Sequence, residues 1–422
     1  MHPETADSPN EMPTQPGPGR TSPRTVKAWL SSLGPSIITA ALVFGPSKMT
    51  ITSKMGAEYG YSLLWIIVMA IFFMIVFTAM AARIGLATNQ SLLATIRQKW
   101  GNPVAVAVGI GVFLVATSFQ AGNSVGVGIS IAEATHTPVN IWIGLFTVLG
   151  ISLLFLKSFY KVLERLMIML VGVMLVAFIA TLTFSGPDYG EVVTGFVPSL
   201  PAGSLGLVIA FTASCFSIVG AFYQSYLVQE RVRVNPKVRD EKVDTVTGMT
   251  LMGLMSATVL VCAAAVLHPK GIKVTSASDM GKALEPIFGQ YASVLFLIGL
   301  FGASFSSLVG NATVGGTLLG DALGYGSQLG SKRVKYLIAL VMVFGASIAM
   351  IFGKLPLDLI IFAQSITILV VPFIGVAMYT IANDGRIMGR YANSTAVKVA
   401  GALGLLVIFG LALSNVNQLF FK

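Results

Sequence analysis

Charge is what this sequence has least of. Only 10% of its 422 residues are Asp, Glu, Lys or Arg, against about 25% in soluble globular chains. A water-facing surface needs those charges, so a soluble fold is excluded. Cysteine is almost absent. Cys215 and Cys262 are the only two, and both lie inside apolar runs, so they read as small buried hydrophobes and not as a disulfide framework. There are three histidines: His2 near the N-terminus, and His136 and His268 between apolar runs. Carboxylates avoid the middle of every apolar run; Glu58, Glu133, Glu230, Glu285, Asp358 and Asp384 sit near ends or in connections. Neither a metal-ligand cluster nor a nucleophile–His–carboxylate set can be assembled within the apolar runs. No enzyme activity, resident metal or cofactor is therefore expected. The net charge of +10 does not imply nucleic acid, because its distribution is the one a membrane predicts.

Apolar runs are what the sequence does have. They fall near residues 33–53, 61–84, 103–131, 139–156, 162–184, 205–228, 246–267, 287–319, 334–353, 357–380 and 399–420. Helices of ~20 residues cross a ~30 Å hydrocarbon core, whereas an outer-membrane barrel would show ~10-residue alternating segments. The expectation is an all-α integral membrane protein with eleven spans. Residues 1–28, with six prolines in the first 24 and no apolar stretch, read as a disordered cytoplasmic tail without a cleavable signal. Residues 29–422 read as one helical transporter domain. With the N-terminus inside, 20 of the 27 Lys and Arg fall in inner segments, 6 in outer ones, and Lys48 lies within the first run. That bias predicts a plasma (inner) membrane protein with N-terminus cytoplasmic and C-terminus outside, whose partners are the bilayer and a small solute or ion.

The first run carries both features that are costly in a membrane, irregular backbone and charge. Gly45-Pro46-Ser47-Lys48 interrupts it. Pro46 lacks an amide hydrogen and clashes with the preceding turn, so a break here would free backbone groups mid-membrane, as in discontinuous transporter helices; a simple proline kink is the alternative. A lysine at the bilayer centre costs roughly 2.5–3.5 kcal/mol. Lys48 therefore either meets an anionic group or a coupling proton in a polar cavity, or pins the broken helix through its freed carbonyls. In the sixth run Ser214, Ser217 and Gly220 either line that cavity or allow close packing. Gln120 and Asn123 of the third run, Ser306 and Ser307 of the eighth, and Gln364 and Thr367 of the tenth complete a neutral, hydrogen-bonding set.

Several stretches together bring a family into view: Gly34-Pro35; Gly56-Ala57-Glu58-Tyr59-Gly60-Tyr61-Ser62-Leu63-Leu64-Trp65; Ala81-Ala82-Arg83-Ile84-Gly85; Leu227-Val228-Gln229; Pro372-Phe373; and Asp384-Gly385-Arg386-Ile387-Met388-Gly389. In order and spacing they resemble the natural-resistance-associated macrophage protein (Nramp) metal transporters. The resemblance implies a LeuT-like fold of the amino acid–polyamine–organocation type. In that fold helices 1–5 and 6–10 form an inverted repeat, helices 1 and 6 are broken at the site, and an eleventh helix follows.

The departures fall at the site. The family's Asp-Pro-Gly-Asn on helix 1, whose Asp and Asn bind metal, is here Gly45-Pro46-Ser47-Lys48. Its Met-Pro-His on helix 6 aligns with Ser217-Ile218-Val219, and its acidic pair on helix 3 with Gln120 and Asn123; Gln364 is retained. Divalent ions need oxygen or sulfur ligands, commonly with a carboxylate. Like charges ~4 Å apart repel by about 4 kcal/mol at an effective dielectric of ~20, and a dication doubles that. The expected substrate site is Gly45, Pro46, Ser47, Lys48, Ser214, Ser217, Gly220, Gln364 and Thr367, with Lys48, Gln120 and Asn123 available for coupling and no metal ligand. Three functions are weighed. The first is a secondary transporter of a small non-metal solute, favouring a carboxylate. The second is a divalent metal (Mg- or Mn-type) transporter with a site rebuilt from carbonyls, Ser47, Ser217 and Gln364. The third is a membrane sensor that moves nothing.

Overall fold

A computed structural model describes residues 26–236, 243–275, 279, 290–352 and 357–420; the expected tail lies outside them up to residue 25. The described residues form helices and connections with no strand. The first half contains α1 (Val26–Val43), α2 (Pro46–Tyr59), α3 (Leu64–Ala87), α4 (Leu92–Trp100), α5 (Asn102–Thr135), α6 (Val139–Leu154), α7 (Phe159–Ser185) and α8 (Tyr189–Thr194). The second contains α9 (Leu205–Cys215), α10 (Ile218–Val234), α11 (Val246–Val266), α12 (Gln290–Ala322), α13 (Lys332–Phe352), α14 (Leu357–Asn383), α15 (Gly385–Met388) and α16 (Thr395–Phe420).

With α1/α2 and α9/α10 each taken as one interrupted segment, the order of apolar runs is the expected one. Among the described residues, however, eight segments are long and apolar enough to cross a membrane, or nine if the pair bent by 63° at residue 384 is one span. The fourth expected crossing, α6, has 16 residues and reaches ~24 Å at 1.5 Å per residue. The first is short because its apolar part, Gly34–Val43, ends at the break. Mean hydropathy sees residues 33–53 as one run; the chain there turns from an apolar helix into one rich in Ser, Thr and Lys.

Glycines set how closely the helices approach. A Cβ at Gly56 on α2 would lie 2.4 Å from the Leu260 carbonyl oxygen of α11. One at Gly316 on α12 would lie 2.4 Å from the Ile338 amide nitrogen of α13. Small residues at such crossings let backbones pack where lipid supplies no hydrophobic drive. The inner half of α1 is tied to α10 by Thr39 Oγ1 donating to Gln224 Oε1 at 2.5 Å. The Asp384-to-Gly389 turn is held by Lys99 donating to the Asp384 carboxylate, which keeps that exposed carboxyl below its ordinary pKa.

Gly56→Val places methyls against a carbonyl that cannot retreat. The variant is expected to lose its monodisperse peak in detergent gel filtration; a variant that elutes and melts like the parent would contradict the α2–α11 crossing.

Candidate substrate site between two broken helices

The chain stops being helical at two places, and they face each other. At the first, α1 ends at Val43 and α2 restarts at Pro46, with Gly45 extended (φ −103°, ψ 178°). At the second, α9 ends at Cys215 and α10 restarts at Ile218. The cavity they border has a volume of ≈ 50 Å³, room for a few waters or one small solute.

The two sides of the first break are unequal. Helix ends leave backbone groups orphaned, and every carbonyl that α1 frees already has a donor. Ala40 O accepts from the Phe44 amide at 2.9 Å and Val43 O from the Gly45 amide at 3.1 Å. Ala41 O accepts from Ser306 Oγ at 2.9 Å and Ser307 Oγ at 3.4 Å. Leu42 O accepts from Ser307 Oγ at 3.0 Å and Asn311 Nδ2 at 3.4 Å. These donors come from consecutive turns of α12. The α2 side is open. Pro46 carries no N–H, the Met49 amide returns to Gly45 O at 3.1 Å, and no side chain caps the helix. The Ser47 and Lys48 amides are thus left without an acceptor among the described bonds, at the positive end of a helix dipole.

At the second break Ser217 Oγ accepts the Gly220 amide at 3.1 Å, so α10 is capped. Here it is the carbonyl end that stays open: Ser214 Oγ turns back onto Phe211 O at 2.9 Å. The Ala213 and Ser214 carbonyls have no donor among the described bonds, and both residues line the cavity.

Of the expected residues, Gly45, Ser47, Lys48, Ser214, Ser217, Gly220, Thr367 and Asn123 line the cavity. Pro46 does not; it packs on α5, where a Cβ at Gly126 would lie 2.8 Å from Pro46 Cβ. Gln120 does not either. It is fully buried and donates to Leu308 O at 2.8 Å, while the Asn123 amide approaches its Oε1 at 3.5 Å. The side chain of Gln364 lies outside the described residues.

The Lys48 side chain is held by sulfur. It is 1% exposed, and its Nζ donates to Met252 Sδ of α11 at 3.4 Å, beside the Cys215 thiol. Neither partner lines the cavity. The amine is thus held by sulfur atoms outside the cavity lining, although Lys48 itself lines the cavity, and it does not pin the freed carbonyls, which α12 already serves. Two participants escaped sequence reasoning. Asn311 lies one turn after Ser307 on the same face, a signal that was available. Met252 is an ordinary core methionine in sequence, and nothing marks it.

Gly45 is also tightly enclosed: a Cβ there would lie 2.7 Å from Ser307 Oγ and 3.3 Å from Asn123 Oδ1. A larger residue, including the family's Asp, would displace the hydroxyl that serves Leu42 O.

A bundle of apolar helices with two interrupted members facing across a small polar cavity is a multi-pass transporter fold. A manganese transporter from Eremococcus coleocola has this fold, at TM-score 0.71 and 21% identity over 94% of this chain and 90% of that one. So does a nucleobase-cation-symport-1 family transporter, at 0.61 and 13% over 92% and 93%. The architecture is thus the LeuT-like one. The family model "Natural resistance-associated macrophage protein-like" matches residues 36–418, and the chain belongs to that family. A divalent metal cation transporter, MntH, of Deinococcus radiodurans is 28% identical over 407 residues, 93% of this chain and 91% of its own length. The protein is accordingly a membrane transporter of the Nramp family.

Gly45→Ala should lower the thermal midpoint of the detergent-purified protein by about 1–2 °C, since a displaced Ser307 costs Leu42 O one of its donors at about 1 kcal/mol per lost bond. An unchanged midpoint would contradict the packing at the break.

Proposed function

We propose that this transporter carries a small non-metal solute bearing a carboxylate, not a dehydrated divalent metal. One observation carries the reading: at the first break the negative, carbonyl end is closed by Ser306, Ser307 and Asn311, whereas the positive, amide end at Ser47 and Lys48 is open. An anion gains from uncapped amides and the helix dipole, while a metal ion at this break would have to take the α1 carbonyls from existing partners. The Lys48 amine adds to the same polarity. Among the described residues, no carboxylate pairs with it. Across the cavity, the open carbonyls of Ala213 and Ser214 suit an N–H or O–H donor on the same solute. The proposed orientation follows the Lys and Arg bias, with the N-terminus in the cytoplasm of a plasma membrane.

A second reading keeps the cargo named for the relatives. A hydrated divalent cation would use those α9 carbonyls with Ser47, Ser217 and Asn123, and Mg²⁺, which keeps its waters, would be the easiest.

Uptake into proteoliposomes separates the two. We expect saturable uptake of at least one member of a panel of labelled two- to five-carbon carboxylates, amino and amido acids, with Mn²⁺ and Mg²⁺ at the level of empty vesicles. Saturable metal uptake with no carboxylate uptake would overturn the proposal. Lys48→Met should raise the thermal midpoint, because it replaces a buried amine whose described partners are sulfur atoms with a thioether. It should also lower carboxylate uptake at least ~10-fold, which corresponds to about 1.4 kcal/mol. Unchanged uptake would remove Lys48 from the mechanism.

A further inference from the structure

We propose that the face where residues 155–161 meet residues 323–336 is a binding site for the headgroup of an anionic phospholipid, with an acyl chain lying along α13. The proposal is independent of the cargo.

The two segments contain Lys157, Lys161, Lys332, Arg333 and Lys335 and not one Asp or Glu. Ring contacts join them. Lys335 Nζ lies 5.8 Å from the Phe155 ring centroid, Phe155 and Tyr336 are 5.9 Å apart by centroid, and Arg333 Cζ lies 5.2 Å from the Tyr325 ring. Tyr325, Arg333, Tyr336 and Leu337 border an open cleft of ≈ 400 Å³.

Three other cations on this end of the bundle have partners. Lys99 pairs with Asp384 and Arg233 with Glu230, and Arg97 donates to Asp321 O at 3.0 Å and Asn102 Oδ1 at 2.9 Å. Lys157, Lys332, Arg333 and Lys335 have no carboxylate partner among the described residues. The acids beside the 323–336 segment are engaged elsewhere: Glu230 pairs with Arg233 and accepts from the Leu329 amide. Asp321 is buried and accepts from Tyr226 Oη at 2.7 Å, and Glu164 lies against Gly34 of α1. The aromatic rings therefore hold cations in place without neutralising them, which leaves an arginine fork and ammonium groups for a phosphodiester.

What makes the phosphate a lipid's is the surface that continues from it. Tyr336, Leu340 and Phe344 follow at four-residue steps along α13 and are 63%, 54% and 52% exposed. This is an apolar stripe leading from the cations into the bilayer. Exposed Phe155 and Leu156 flank the cations at the level where aromatic side chains anchor to the interface. By the charge bias this is the cytoplasmic face, whose leaflet carries the anionic lipids.

The test is a thermal-shift series on the full-length protein in neutral detergent. It adds phosphatidylglycerol, phosphatidylcholine of the same acyl chains, or inorganic phosphate, to the parent and to the exposed double variant Arg333→Ala/Lys335→Ala. Phosphatidylglycerol should raise the parent's Tm by roughly 2–4 °C more than phosphatidylcholine does. The double variant should lose that difference while matching the parent in phosphatidylcholine. Lys54→Ala, on the opposite face, should keep it. An equal shift with phosphatidylcholine, an equal shift with inorganic phosphate, or a shift retained by the double variant would each overturn the site.

Discussion

In hydrocarbon a backbone amide or carbonyl must find its partner within the protein, and that requirement organises the centre of this molecule. Two helices are interrupted at mid-bundle, and each interruption frees groups from both of its ends. The chain answers unevenly. Three polar side chains of α12 close the carbonyl end of α1, Ser217 takes the Gly220 amide of α10, and the amide end of α2 and carbonyl end of α9 remain open to a shared cavity. What polarity the cavity has comes partly from backbone groups without partners, and it has a direction because the vacancies do.

That direction links packing to function. Ser307 reaches Leu42 O only because Gly45 has no side chain. The same glycine stands where metal-transporting relatives are expected to hold a carboxylate. Losing the acid and closing the carbonyls are then parts of one change: the space an aspartate would need is taken by the hydroxyl that satisfies Leu42 O. Lys48 belongs to the same change, since an amine behind an uncapped helix start deepens the positive character of that side. On the proposed reading, the family's fold persists around a site of altered electrostatic sense, in keeping with function residing in sites more than in folds.

Much of the architecture was legible in the sequence. Gly45-Pro46-Ser47 marked the first break, because proline and glycine act on local backbone, whereas the second break was expected only through the family resemblance. The number of crossings was less legible: hydropathy merges α1 with the polar α2 and gives no warning that α6 stops at 16 residues. The inverted repeat came through the family resemblance and not from any residue. Within the site, Lys48 lines the cavity, while the sulfur contacts of its amine had no signal in the sequence. Its contacts, Met252 and Cys215, lie 204 and 167 positions away, so only tertiary packing decides where the side chain points. The roles of Ser306 and Ser307 were open for the same reason, since a serine's partner across a helix interface leaves no local signal.

The account rests on an anion, and not a metal ion, being the species that meets the start of α2. Crystals of the protein soaked separately in bromoacetate and in Mn²⁺, each measured at its own absorption edge, test this directly. The account predicts a bromine anomalous peak in the cavity with its carboxylate at the Ser47 and Lys48 amides, and no manganese peak between the breaks. A manganese peak beside Ser47 with no bromine in the cavity would contradict it.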